Sequence, residues 1–366
     1  MNDGIKVLLV DDSAIFRYHI NKIIMKSGKN IRIIETAVNG KKALEKMEKI
    51  RDKVDIIIMD IMMPGMDGIE TVGYIMDRFP TPVILSSGKK EKREIEIALS
   101  DLRMSNLESG AVEFVKKPDS LHPNDDLRFE RELIFKIENL TRIDFNKISS
   151  IYDLKAKIQQ QRKEIPLPRP PSYSTWDLHR NKIIVIGTST GGPQAVSILL
   201  SMLPMKFPPI IIIQHMPDGM IAPWTVRLQK AFPQLKIRLA WSGALLQPST
   251  IFIAPTGKHC IIEPGKWINL VDGEKVNFVI PAADVTFRSA SKVYGRETLG
   301  IILTGMGRDG FKGAKIIKSV GGKIIAEHHS TSIMNSMPDS IIKANLADRI
   351  SPINQITNTM RGLGWI

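Results

Sequence analysis

The stretch Ile183-Ile184-Val185-Ile186-Gly187-Thr188-Ser189-Thr190-Gly191-Gly192-Pro193 decides the fold of the second half of the chain. Its four leading apolar residues predict a buried strand, and the glycines that follow predict a tight turn with Ser189 at the bend. Pro193 favours the first turn of a helix. Such a strand-to-helix turn holds a serine hydroxyl above the sheet edge, beside the N–H groups of the helix. Taken alone, the pattern fits a phosphate-binding turn or a purely structural turn equally well.

Two further apolar runs end in residues that complete a catalytic set. Ile210–Ile213 leads into His215, and Gly300–Leu303 leads into Asp309. Apolar runs separated by helical stretches are typical of parallel strands, whose carboxyl ends carry the sites of such sheets. Serine attacks well only when a base takes its proton and a third group orients that base. We therefore predict a serine hydrolase with Ser189 as nucleophile, His215 as base and Asp309 as orienting acid, although each residue alone has an ordinary structural interpretation.

This half of the chain resembles the CheB family of chemotaxis protein-glutamate methylesterases. The segments that carry the resemblance are G-T-S-T-G-G at Gly187–Gly192, Q-H-M-P at Gln214–Pro217, L-T-G-M-G-R-D-G at Leu303–Gly310, and the shorter Ile253–Gly257 and Met337–Pro338. The similarity extends from about Lys182 to the C-terminus. Thr188 is a departure, because that family usually has alanine there, but the change removes no catalytic group.

The resemblance implies hydrolysis of glutamate γ-methyl esters on methyl-accepting chemotaxis receptors, with release of methanol and with glutamine deamidation as a second activity. The N–H of Thr190, directly after the nucleophile, is the natural first donor to the oxyanion, and the family suggests the Met306 region as the second. No cofactor is expected in this domain. A serine hydrolase of another ester or amide, and a binding protein with an unused triad, are the alternatives.

The first half shows the same arrangement with different chemistry. Its apolar runs are Val7–Val10, Ile56–Met59, Val83–Leu85 and Ala111–Lys116. Asp11 and Asp12 follow the first run, and Asp60 follows the second, so three carboxylates are predicted at one sheet edge. Carboxylates this close repel one another and either hold protons or bind a cation. Oxygen ligands near a phosphate favour Mg²⁺.

This half resembles a response-regulator receiver domain. The resemblance implies that Asp60 accepts a phosphoryl group from a histidine kinase. It also implies that Asp12, Asp60 and the Met62 carbonyl bind Mg²⁺, with Asp11 assisting through a water molecule. The resemblance to the methylesterase family further implies that the unphosphorylated receiver covers the catalytic edge and that phosphorylation weakens this packing.

Three more residues of the receiver are expected to respond to the phosphoryl group. Ser86 follows the third apolar run and offers a hydroxyl to a phosphoryl oxygen, while Lys117 neutralises phosphoryl charge. Ser86 and Phe114 match the positions that move on phosphorylation in the receiver family. An ordinary core phenylalanine is equally compatible with the sequence at position 114.

Length and pattern together predict the organisation of the chain. Its 366 residues suffice for two cores. We predict an α/β protein with two doubly wound parallel-sheet domains: a flavodoxin-like receiver at 1–140 and an α/β serine-hydrolase domain at 179–366. Leu127–Leu140 has helical spacing and is expected to close the receiver. The linker at 141–178 contains the proline-rich Ile165–Ser172, which predicts an extended, semi-rigid segment.

Composition excludes several classes of protein. No apolar run approaches the roughly 18 residues of a membrane helix, and the N-terminus shows no secretory signal, so we expect a cytoplasmic protein without membrane insertion. Cys260 is the only cysteine and is expected to be a buried, unreactive thiol. The net charge of +13 suits acidic helical partners or non-specific nucleic-acid contact. No nucleic-acid-binding motif is present, so no specific nucleic-acid partner is expected.

Overall fold

A computed structural model describes residues 4–88, 112–118, 123–164 and 181–366 of the chain. Its contacts divide the protein into two units, Met1–Phe145 and Asn146–Ile366. Each unit is built on a parallel sheet whose strands alternate with helices. The predicted α/β fold class with two parallel-sheet domains is therefore confirmed.

The first unit has a five-stranded sheet in the order β2-β1-β3-β4-β5. Its strands are β1 (Ile5–Val10), β2 (Ile31–Ala37), β3 (Ile56–Asp60), β4 (Val83–Ser87) and β5 (Val112–Lys116). Neighbouring strands are all parallel. This order is the flavodoxin-like one, and it reverses between β1 and β3. Residues that follow these two strands therefore meet at the switch point of the sheet.

Side-chain caps start the first three helices of this unit. The helices are α1 (Ala14–Lys26), α2 (Gly40–Ile50), α3 (Gly68–Arg78) and α4 (Pro123–Leu140), with a short 3₁₀ turn at Arg51–Lys53. Ser13, Asn39 and Asp67 each accept a hydrogen bond from a backbone N–H in the first turn, as residues with a short polar side chain do at helix starts. The predicted closing helix is present as α4, whose Leu133 and Ile137 are fully buried.

The second unit has a seven-stranded sheet in the order β15-β14-β13-β6-β7-β10-β8. These strands are β6 (Ile183–Thr188), β7 (Ile210–Gln214), β8 (Lys236–Leu239), β10 (Thr250–Ile253), β13 (Thr298–Ile302), β14 (Lys323–Glu327) and β15 (Arg349–Ser351). All neighbouring pairs are parallel. Strands β6 and β7 are buried over their full lengths, which is why their sequences are apolar without alternation.

A smaller sheet and seven helices accompany it within the described residues. The antiparallel sheet has the order β11-β12-β9, with β9 (Ala244–Leu245), β11 (His259–Glu263) and β12 (Trp267–Val271). The helices are α5 (Phe145–Glu164), α6 (Gly192–Met202), α7 (Ile221–Ala231), α8 (Ala283–Tyr294), α9 (Phe311–Ser319), α10 (Ser336–Ile342) and α11 (Ile356–Gly362), with 3₁₀ turns at Gly295–Glu297 and Ile353–Gln355. Among the described helices, none is both long and apolar enough to cross a membrane. Cys260 is buried, as predicted, and burial raises the pKa of its thiol to about 12.

Helix α5 was not anticipated from the sequence. It occupies much of the predicted linker and, apart from its first residue, belongs to the second unit. Among its described side chains only Ile148 and Ile151 are buried, so its apolar periodicity is too weak to signal a helix. Lys147 holds it to the unit by donating to the carbonyls of His329 (2.9 Å) and Ser332 (3.2 Å). The proline-rich Ile165–Ser172 lies outside the described residues, and the domain boundaries stay a prediction.

A glycine in the middle of the large sheet provides a test of this packing. A Cβ at Gly300 of β13 would lie 2.7 Å from Ile324 Cδ1 and 2.8 Å from Ile317 Cδ1. We expect Gly300→Ala to destabilise the second unit by about 1–3 kcal/mol, because overpacking a close-packed core forces its neighbours to move. Differential scanning calorimetry of the full chain measures this as a lower midpoint for that unit, by roughly 2–4 °C per kcal/mol.

The control for this experiment is Gly362→Ala at the end of α11. A Cβ at Gly362 would meet no atom within 4 Å, and alanine is the better helix former. We expect its midpoint to equal or slightly exceed that of the wild type. Equal midpoints for the two variants would contradict the packing described for β13.

Candidate active site and phosphorylation site

Ser189 lies in a tight turn between β6 and α6. Its N–H donates to the carbonyl of Thr304 (3.0 Å), and its own carbonyl accepts the N–H of Gly192 (2.8 Å). Gln214 Nε2 donates to the same carbonyl at 2.9 Å. Gly191 has φ +79°, a left-handed conformation that glycine adopts without a steric penalty. Ser189 is therefore fixed on both sides, and 9% of its surface is exposed.

Thr304 connects the loop after β13 to this turn. Its carbonyl accepts the N–H of Ser189 and the hydroxyl of Thr188, the latter at 2.9 Å. Its own hydroxyl donates to the Thr190 carbonyl at 2.9 Å and accepts the Met334 N–H at 2.8 Å. Thr188, where the resembled family usually has alanine, is therefore buried and hydrogen-bonded within the turn. No local sequence pattern singles out Thr304.

His215 lies beside the serine turn and contacts a buried aspartate. Its N–H donates to the Thr188 carbonyl (3.1 Å), which places it next to the residue before Ser189. Its Nε2 is 2.9 Å from Asp309 Oδ2, and the two side chains are 9% and 2% exposed. The hydrogen bonds of the described chain do not include one between Ser189 Oγ and the imidazole. Since Nε2 is occupied by Asp309, Nδ1 is the nitrogen left to accept a proton.

The start of α8 holds the Asp309 carboxylate. Oδ2 accepts the Ala283 N–H at 2.6 Å, while Oδ1 accepts the Asp284 N–H at 3.1 Å and Asn277 Nδ2 at 3.2 Å. The N-terminus of a helix favours negative charge. Burial alone would raise the pKa of Asp309, but the hydrogen bond and charge of His215, together with the two α8 N–H groups, hold it below its ordinary value. Asp309 is therefore ionised at neutral pH.

Asp284 is a second buried acid next to Asp309, and it was not predicted from the sequence. It accepts the Gly313 N–H at 2.7 Å and Asn277 Nδ2 at 3.0 Å. Burial, followed by repulsion from Asp309, raises the pKa of Asp284. Asn277 thus bridges the two carboxyl groups, which stabilises them at close range. Nothing in the sequence around Asp284 marks this role.

The loop after β13 passes very close to the nucleophile. A Cβ at Gly305 would lie 2.9 Å from Ser189 Cβ and 2.3 Å from the sulfur of Met337, so only glycine fits there. The next residue is Met306, whose backbone N–H has no hydrogen-bond partner within the described part of the chain. Thr190 follows Ser189 directly. The two expected oxyanion donors are therefore on the two segments that border Ser189.

Glu327 is a further acid near the turn that was not predicted from the sequence. It is the last residue of β14 and is fully buried. Its Oε2 accepts the Thr304 N–H at 2.7 Å, and its Oε1 accepts the Thr331 hydroxyl at 2.9 Å. Burial raises the pKa of Glu327 to about 7, against the lowering effect of these hydrogen bonds and of Lys147. The sequence does contain one feature that could have identified Glu327, namely an acidic residue directly after the apolar run Ile324–Ala326.

The structure brings three carboxylates of the first unit close together. Ligand atoms of Asp11, Asp12 and Asp60 all lie within 4.8 Å of one another. Lys117 Nζ lies 2.6 Å from Asp60 and 3.0 Å from Asp11. Burial opposes the charge on Lys117, but the bond and charge of Asp60, and then Asp11, outweigh it and raise the pKa of the lysine. Three hard oxygen donors at this spacing fit Mg²⁺.

The remaining receiver residues border this cluster to different degrees. Ser86 pairs with Asp60 across β3 and β4, and its hydroxyl donates to the Met59 carbonyl at 3.4 Å. Phe114 is half-buried on β5. Met62 lies two residues beyond Asp60, in the loop that follows β3, and is 40% exposed.

Comparisons with known proteins find a different family for each half of the chain. Residues 184–360 match the family model of the CheB methylesterase, and residues 7–122 match that of the response regulator receiver domain. A crystal structure of the Thermotoga maritima CheB methylesterase catalytic domain is 38% identical, with a TM-score of 0.48, and the match covers 50% of this chain and 98% of that one.

Relatives of similar length match nearly the whole chain. A protein-glutamate methylesterase/protein-glutamine glutaminase of Methanosarcina mazei is 34% identical over 362 residues, which are 97% of this chain and 95% of the relative. One from Vibrio vulnificus is 33% identical over 379 residues, with 98% of each chain covered. With identity of this degree over nearly its full length, the chain belongs to the protein-glutamate methylesterase/protein-glutamine glutaminase family.

Proposed function

We propose that the protein hydrolyses glutamate γ-methyl esters on methyl-accepting chemotaxis receptors, deamidates receptor glutamines, and is activated by phosphorylation at Asp60. The observation that carries the chemistry is the hydrogen bond between His215 and the buried Asp309, beside the turn that holds Ser189. The names of the relatives support the substrate and the second activity. They do not favour a hydrolase of another ester or a binding protein.

His215 is the general base in this proposal. Asp309 is ionised and bound to Nε2, so Nε2 carries a proton and Nδ1 presents its lone pair. When Ser189 Oγ attacks the ester carbonyl, its proton moves to Nδ1. The Asp309 carboxylate, which the N–H groups at the start of α8 hold in its ionised form, then stabilises the imidazolium through charge. Catalytic hydrogen bonds often tighten only when substrate is bound, so the serine and imidazole approach each other in the complex.

The tetrahedral intermediate requires donors aimed at its oxyanion. The Thr190 and Met306 N–H groups fill this role in our proposal, since they lie on the two segments that border Ser189. The intermediate collapses with transfer of the His215 proton to the methoxy oxygen, so methanol leaves and a glutamyl ester on Ser189 remains. Water then attacks this ester with His215 again as base, which releases glutamate and the serine. With glutamine as substrate, ammonia leaves in place of methanol.

In the first unit, Asp60 is the acceptor of a phosphoryl group from a histidine kinase. Asp12, Asp60 and the Met62 carbonyl would hold Mg²⁺, with Asp11 assisting through water, and the bound ion would neutralise phosphoryl charge. Lys117 already contacts Asp60 and remains in reach of a phosphoryl oxygen. Ser86 and Phe114 would then reposition.

The consequence of phosphorylation is a shift between inactive and active populations of the two-unit chain. The location we propose for the protein is the cytoplasm.

Replacing the nucleophile tests the catalytic assignment. We expect Ser189→Ala to lower methanol release from methylated receptor by about 10⁴–10⁶-fold, because no other group replaces the attacking oxygen. Circular dichroism should show an unchanged fold, since the hydrogen bonds of the described residues include none from the Ser189 hydroxyl. The matched control is Ser319→Ala, an exposed serine at the end of α9, which should keep the wild-type rate. A Ser189→Ala protein with substantial activity would refute the assignment.

Replacing the phosphorylation site tests the regulation. We expect Asp60→Asn to abolish the increase in methanol release that a small-molecule phosphodonor and Mg²⁺ produce in the full chain, because an amide does not accept the phosphoryl group. The unstimulated rate should stay near that of the wild type. Asp52→Asn, at a largely exposed acid of the same unit, should remain stimulated. Stimulation that survives in Asp60→Asn would rule out Asp60 as the acceptor.

A further inference from the structure

Glu327 is a buried acid that the proposed hydrolysis does not use. No part of its surface is exposed, and a carboxylate is costly to bury without strong partners. It ends β14, which pairs with β13 on one side and β15 on the other. The carboxyl group is thus at the same strand edge as the active site, one strand away from the loop that borders the nucleophile.

A single residue, Thr304, connects this carboxyl group to the nucleophile through hydrogen bonds. Thr304 donates its N–H to Glu327 at 2.7 Å and accepts the Ser189 N–H on its carbonyl at 3.0 Å. The Thr304 hydroxyl also donates to the carbonyl of Thr190, the residue whose N–H is the proposed oxyanion donor. A change in the hydrogen bond between Glu327 and Thr304 therefore alters the position of both Ser189 and Thr190.

The partners of Glu327 favour its ionised form. Both oxygens accept hydrogen bonds, from the Thr304 N–H and from the Thr331 hydroxyl. Hydrogen bonds to a charged acceptor are about twice as strong as neutral ones. Protonation removes the charge that strengthens these bonds, so the bond from the Thr304 N–H weakens even if the new proton is donated to the Thr331 hydroxyl. Lys147 of α5 adds a favourable charge.

Lys147 also fixes the loop that follows Glu327, through the carbonyls of His329 and Ser332. Within that loop, His328 Nδ1 contacts the Ser330 hydroxyl, and the imidazole rings of His328 and His329 are 3.9 Å apart between centroids. The other charged side chains on the elements packed against β14 are Lys312, Lys315 and Lys318 on α9, Asp339 on α10 and Arg349 on β15. Lys318 pairs with Asp348, and Asp339 pairs with Lys343.

We propose that Glu327 is a positioning residue whose ionised carboxylate holds Thr304, and through it the Ser189 turn, in the geometry for attack, so that protonation of Glu327 lowers turnover. The inference rests on the proposed hydrolytic function. Because burial raises the pKa of Glu327 to about 7, the change falls near neutral pH. The site would then lose activity on mild acidification through protonation of Glu327.

Protonation of Glu327 has opposite effects on turnover and on the stability of the fold. Its folded pKa lies above the ordinary value of 4.5, so the folded state binds the proton more tightly than the unfolded state. Its contribution to stability is therefore complete below about pH 4.5 and is lost as the pH rises toward 7 and beyond. The functional, ionised form is thus the less stable one.

The test compares kcat and KM for methanol release by the full chain over about pH 5.5 to 9. In the wild type, protonation of Glu327 should steepen the acid-side fall of log kcat near pH 7. Glu327→Gln keeps an acceptor for Thr304 but cannot be protonated in this range, so the slope of its acid limb should be smaller, with KM changed less than about twofold. Glu297→Gln, at a partly exposed acid before β13, should keep the wild-type slope.

A second variant and a second measurement distinguish failure of the proposed hydrolysis from failure of the inference about Glu327. Thr331→Val removes a donor to the ionised carboxylate and should shift the acid limb to higher pH. The labelling rate of Ser189 with a phosphonate ester, measured over the same pH range, reports the nucleophile without any receptor. If wild-type protein releases no methanol, the proposed function fails, and the labelling profiles still decide the role of Glu327. Identical slopes for wild type and Glu327→Gln in both readouts, or an unshifted Thr331→Val profile, would overturn the inference.

Discussion

The ladder of backbone hydrogen bonds between β6 and β13 continues past the ends of the two strands, and the active site depends on that continuation. The Leu303 N–H donates to the Gly187 carbonyl, and the Ser189 N–H donates to the Thr304 carbonyl. The serine turn and the loop that carries Asp309 are thereby held together at the switch point of the sheet, where the strand order reverses. Gly305 allows this approach, because any side chain there would strike Ser189.

Three buried carboxyl groups in the described part of the chain lie at or beyond the carboxyl ends of strands, and each has a different environment. Asp309 meets the N-terminus of a helix and an imidazole, and its pKa is lowered. Glu327 is completely buried, and among the described residues two hydrogen bonds and the charge of Lys147 oppose the effect of burial without overcoming it, so its pKa is raised. Asp60 is paired with Lys117 beside two more acids. These environments suit three different chemical roles, namely orienting a base, sensing a proton and accepting a phosphoryl group.

The sequence was sufficient for both sheets and for the convergence of His215 with Asp309, because buried parallel strands are continuous apolar runs whose ends share an edge. Helix α5 escaped prediction, since only Ile148 and Ile151 are buried among its described side chains. Thr304 and Asp284 also escaped prediction, because their roles arise from contacts with residues that are distant along the chain, which no local pattern encodes. The roles of Ser189, His215 and Asp309 in catalysis stay predictions that their placement supports.

The most direct test of the central claim is to trap the covalent intermediate during turnover. Acid quenching of the enzyme with methylated receptor peptide, followed by peptide mass mapping, measures which side chain carries an acyl group. The account predicts a glutamyl ester on the peptide that contains Ser189, which appears together with methanol in single-turnover experiments and then disappears as water releases the glutamate. Turnover without any enzyme-bound ester, or an ester on another residue, would contradict it.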